Sequence, residues 1–74
     1  MKKFSVLIAK RHATSISLED EFYQALTDIA KEEKIPLNEL ITQIDSTRKT
    51  ANLSSALRLY VLKKLQQKIK ENLE

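Results

Sequence analysis

Arg11, Ala13, Ser15 and Ser17 stand at alternate positions and interleave with His12, Thr14, Ile16 and Leu18. In an extended strand alternate side chains share a face, so Ile16 and Leu18 point one way and the first set points the other. The chemistry open to that first set is hydrogen bonding to a polyanion. A guanidinium suits a phosphate or a guanine edge, serines hydrogen-bond to base edges, and Ala13 can touch only a thymine methyl. Two-stranded β-ribbons enter the DNA major groove in this way, and on so short a chain such a ribbon is expected to form with a second copy.

A second candidate is Asn52-Leu53-Ser54-Ser55. A helix beginning here offers free backbone N–H groups to a phosphate. The same amide and hydroxyls can instead cap the helix, and both readings stand. His12, the one histidine, has the chemistry of a base or a metal ligand. By parity it shares the face of Ile16 and Leu18, which favours a hydrogen-bonded structural histidine. Glu19, Asp20 and Glu21 read as a helix start answering the helix dipole rather than as an acid–base pair.

Cysteine and glycine are absent. Disulfides and thiolate-held metals are excluded with the first. Nucleophile elbows, phosphate-cradling loops and dinucleotide fingerprints go with the second, because each needs glycine where backbone must approach closely. No enzyme activity, cofactor or metal is expected.

The elements that must position these residues follow from the apolar periods. Phe4, Val6 and Ile8 alternate with Ser5, Leu7 and Ala9, so residues 4–8 are a further strand. It either continues into residues 12–18 or bends near Lys10, with no Asn-Gly or Asp-Gly to make a tight hairpin. Ser17 is a candidate N-cap, with Asp20 as its capping-box partner, for a helix over 18–33 that buries Phe22, Ala25, Leu26, Ile29 and Ala30. Pro36 opens a helix over about 36–47 with Leu37, Leu40, Ile41 and Ile44 on one face. Residues 45–52 read as a loop. A last helix, capped by Asn52 or Ser54, runs to about residue 71. It has one apolar face of Leu53, Ala56, Leu57, Tyr60, Val61 and Leu65 and a second of Leu59, Leu62, Ile69 and Leu73. Two stripes on one helix imply burial against its own core and against a partner.

Seventy-four residues make one domain, 1–74. A core this small rarely supplies more than about 3–5 kcal/mol, and without disulfides or metal the remaining remedy is oligomerisation. The net charge of +3 is unevenly placed. Lys2, Lys3, Lys10 and Arg11 precede any acid, residues 18–33 hold six acids against Lys31, and residues 49–74 are basic again. A basic ribbon facing phosphates with the acidic helix turned away fits this pattern, as does ordinary solubility charge. Met1-Lys2-Lys3 and the apolar run to Ala9 imitate a signal peptide but stop short at Lys10-Arg11, so a cytoplasmic protein with no membrane association is expected.

The string from Arg11 to Glu19, then Phe22 and Leu26, then Ile44-Asp45 and Arg48, then Asn52-Leu53-Ser54-Ser55-Ala56-Leu57-Arg58, resembles the bacterial ribbon-helix-helix-like family of short proteins over about residues 4–66. The resemblance implies a mostly α fold with a short N-terminal β-ribbon, an intertwined homodimer, and a transcriptional regulator that binds DNA. By the same resemblance the ribbon readers are Arg11, Ala13, Ser15 and Ser17. The phosphate site is Asn52, Ser54 and Ser55 if the last helix is the second of the motif, or Leu37 and Asn38 if the Pro36 helix is. Two departures stand out: a third helix, with the one over about 36–47 read as an insertion, and an outward ribbon face that is small and neutral beyond Arg11. The alternative is the same scaffold used as a protein–protein interaction module, antitoxin-like or adaptor.

Overall fold

The computed structural model describes residues 1–8 and 12–73. Two strands, β1 (Lys2–Ile8) and β2 (His12–Leu18), precede three helices, α1 (Asp20–Glu33), α2 (Leu37–Thr47) and α3 (Leu53–Leu73). β1 and β2 pair antiparallel from Lys2↔Leu18 to Ile8↔His12. The ribbon therefore closes within one chain, where the sequence suggested a partner strand from a second copy. The cause is matched alternation. This register sets Phe4 opposite Ile16 and Val6 opposite Thr14, so both strands turn their apolar side chains to one face.

That face and the three helices enclose the core. Val6, Ile16, Leu18, Leu26, Ile29, Ala30, Leu40, Ile41, Ile44, Ala56, Leu57 and Val61 are buried, with Phe4, Phe22, Leu37 and Tyr60 packed around them. Phe4 also meets Tyr23 edge to face, with ring centroids 4.9 Å apart, and the Lys2 ammonium lies 5.3 Å from the same ring. These interactions fix the start of β1 on α1.

The predicted helices are present, with three corrections. Ser17 does not cap α1, because β2 continues through Leu18, which is fully buried and held opposite Lys2. Glu19 takes the cap position without a side-chain bond. Leu65 leaves the core face of α3 and is 51% exposed. His12 is exposed, since Ile8↔His12 is the last pair of the ladder and its ring stays in water rather than becoming a bonded structural histidine.

With no glycine available, α1 ends on Lys34 in the left-handed conformation, φ 59° and ψ 38°. The Ile35 N–H donates to the Ala30 carbonyl at 3.0 Å and the Lys34 N–H to Lys31 at 3.1 Å, which closes a Schellman turn. Pro36 then starts α2 where its missing N–H costs nothing.

The acidic α1 and basic α3 are joined by their charges. Arg58 grips Glu19 with two bonds of 2.8 and 3.2 Å, Lys68 meets Glu32 at 2.8 Å, and the Tyr60 hydroxyl donates to Glu33 at 3.1 Å. The charge segregation along the sequence is thus largely an α1–α3 seam.

Candidate nucleic-acid interface

The outward face of the ribbon is built by cross-strand pairs. Lys3 lies opposite Ser17, Ser5 opposite Ser15 and Leu7 opposite Ala13. Residues directly opposite on an antiparallel pair share a face, so all six project away from the core. Ala13, Ser15, Lys3, Ser5 and Leu7 are exposed and Ser17 is half-buried, as the parity of β2 predicted for its own three. Arg11 lies outside the described residues. The β1 contribution was missed in the sequence, although the alternation of Ser5 and Leu7 was visible. Without a known register nothing said which β2 residues they would join.

The face is flat because Ser5, Ala13, Ser15 and Ser17 are small. It presents three hydroxyls between the Lys3 ammonium at one end and the apolar Leu7 at the other. A two-stranded ribbon of this profile is of a size to enter a groove about 12 Å wide.

The two edges of the ribbon differ. On β1, the Leu7 N–H donates to Asn38 Oδ1 at 2.7 Å, and Asn38 Nδ2 donates to the Leu7 carbonyl at 2.8 Å. The side-chain amide of α2 thus imitates one residue of a neighbouring strand. Since the Leu7 backbone groups point outward, Leu7↔Ala13 is a non-hydrogen-bonded pair, and in an antiparallel ladder such pairs recur at every second position. Ala13, Ser15 and Ser17 therefore aim their backbone groups at the outer edge of β2. The Ser17 carbonyl there accepts from Ser54 Oγ at 3.2 Å. Among the described residues no side chain bonds to the outward groups of Ala13 and Ser15.

At the start of α3, Asn52 Oδ1 accepts the Ser55 N–H at 3.1 Å, an N-cap. Ser54 ties the first turn to the end of β2, and Ser55 is half-buried. The named side chains of this candidate site hold structure together, and the N–H groups left for an anion belong to Leu53 and Ser54. At the start of α2, Pro36 has no N–H and the Asn38 side chain is engaged with Leu7.

Arg58 holds the Glu19 carboxyl below its usual range, first through its hydrogen bond and further through its charge; a backbone bond adds to this. Burial, with the neighbouring Glu33, pushes the Tyr60 phenol up to about 12. No helix among the described residues is long and apolar enough to cross a membrane.

A family model described as a ribbon-helix-helix domain matches residues 1–65. The chain belongs to the ribbon-helix-helix family. The match takes in both strands, α1, α2 and the first half of α3, so the third helix is part of the family pattern up to Leu65. No curated protein and no solved structure matches the chain. Ribbon-helix-helix domains are typically non-enzymatic and DNA-binding.

Proposed function

We propose that the protein is a homodimeric transcriptional regulator that lays its ribbon in the major groove. The observation that carries this reading is the ribbon's flat outward face, with Ala13 and Ser15 at an edge that a second copy can pair, while Asn38 occupies the Leu7 groups of the opposite strand. Open edge groups call for a strand partner. A second copy pairing β2 to β2 places two sets of Ala13, Ser15 and Ser17 side by side at the centre, with Lys3 on each flank over the phosphates. Four strands span about 14 Å at ~4.8 Å spacing, so only the central pair enters the groove. Arg11, next to β2 in sequence, is the long donor assigned to a phosphate or guanine edge. The turn of Asn52, Ser54 and Ser55 is assigned a further phosphate contact through the N–H groups of Leu53 and Ser54.

Few side chains on this face make bidentate base contacts, so much of the affinity is expected to come from phosphates. The test is a salt titration of wild type and Arg11→Ala on random genomic and scrambled duplexes, together with sedimentation of Ser15→Pro. Arg11→Ala is expected to weaken binding on all sequences and to reduce the salt slope by about 0.9 for each phosphate the guanidinium neutralises. Ser15→Pro removes an outward N–H, leaves the β1 ladder intact, and is expected to give a folded monomer. A wild-type monomer, or no DNA binding at low salt by a proven dimer, would overturn the proposal; the second outcome favours the protein-interaction scaffold.

A further inference from the structure

Leu59, Leu62, Leu65 and Ile69 are 46%, 48%, 51% and 60% exposed, a concentration of apolar surface found on no other helix among the described residues. At 100° per residue they fall within about one third of the α3 circumference, opposite the side that buries Ala56, Leu57 and Val61. Leu59, Leu62, Gln66 and Ile69 follow the three-four-three spacing of a coiled-coil seam, with Leu65 beside it. One border of the stripe carries Lys63 and Lys70. Both are exposed, and neither has an ion-pair partner among the described residues, unlike Arg58, Lys64 and Lys68, which are drawn to α1. No acid lies between Leu59 and Lys70 to offset them.

We propose that this stripe is a docking site for an amphipathic helix of another protein whose flanks are acidic. The charge pattern selects that occupant over a second copy. Paired parallel to itself, the seam sets Arg58 beside Lys63 of the other copy; paired antiparallel, it sets Lys63 beside Lys70. Neither arrangement brings an acidic side chain of α3 to these lysines, and Glu19 is already taken by Arg58, whereas glutamates on a partner helix would meet both. The stripe also has the width of a helix seam and lacks the Trp and Phe that anchor interfacial helices in lipid. The proposal is independent of DNA binding, since the stripe runs from Leu59 to Ile69 and shares no residue with the ribbon face or the start of α3.

The experiment uses the full chain and two helix-stabilised synthetic peptides, with leucines at the seam positions and either glutamates or lysines at the flanks. Fluorescence anisotropy is expected to show the glutamate peptide binding roughly tenfold tighter than the lysine peptide, the gap narrowing with salt. Lys63→Glu with Lys70→Glu should reverse the order. Leu62→Ser with Ile69→Ser, at exposed positions that leave circular dichroism unchanged, should abolish binding while the oligomeric state and DNA affinity persist. Equal binding of both peptides, or of neither, overturns the proposal. So does loss of the dimer in the serine variant, which would give the stripe to a second copy, or serine-sensitive binding to anionic vesicles without peptide binding.

Discussion

Glu19 lies at the junction of strand and helix, and its partner Arg58 is thirty-nine positions away in the chain. Because the ion pair lowers the folded carboxyl below its unfolded value, its stabilisation is present above the unfolded pKa. It is lost as pH falls through the folded one. Acid unfolding curves of wild type and Glu19→Gln should therefore converge at low pH and separate towards neutrality. Parallel curves would show that the pair adds nothing. Lys34 offers a gain instead. A side chain with a Cβ in the left-handed region costs about 1 kcal/mol, so Lys34→Gly should raise the unfolding free energy by about that amount and move the denaturant midpoint upward without changing the slope.

Among the elements, the strands and helices were legible because each is amphipathic at its own period. Ile16 and Leu18 read as a strand face, and Leu26, Ile29 and Ala30 read as a helix face, from spacing alone. What was hidden lies in pairs distant in sequence. Nothing local says that Ser5 will face Ser15, that Asn38 will reach Leu7, or that the acids of α1 will meet the bases of α3. Ser17 misled for a related reason: its capping chemistry is sound, but burial of Leu18 keeps the strand extended one residue further. The start of α3 was read in both its roles, and the cap is the one its geometry displays. Asn52→Ala is expected to cost about 0.5–2 kcal/mol in chemical denaturation. If DNA affinity at matched folded fraction falls as well, the turn also contacts phosphate.

At the scale of the molecule, twelve buried side chains among the described residues, from all five elements, form one core, so damage in one place should unfold everything. Ile16→Asp and Leu57→Asp each bury a carboxylate with no partner, a penalty of several kcal/mol against a small total, and both should lack a cooperative transition by circular dichroism. A long axis of 42 Å against 24 and 23 Å reflects α3, which at about 1.5 Å per residue outreaches the body it packs on. Beyond Val61 no described residue of α3 is in the buried core, and although Lys64 and Lys68 turn to α1, the apolar stripe with Lys63 and Lys70 faces outward there.

The amide clamp on Leu7 has a consequence in the arithmetic of polymers. A unit with one sticky end stops growing at two members; a unit with two grows without limit. By filling the Leu7 position, Asn38 interrupts the β1 edge and discourages growth on that side. Asn38→Ala would hand the molecule a second functional end, and concentrated solutions of that variant are expected to scatter light and bind amyloid dyes while the wild type stays clear.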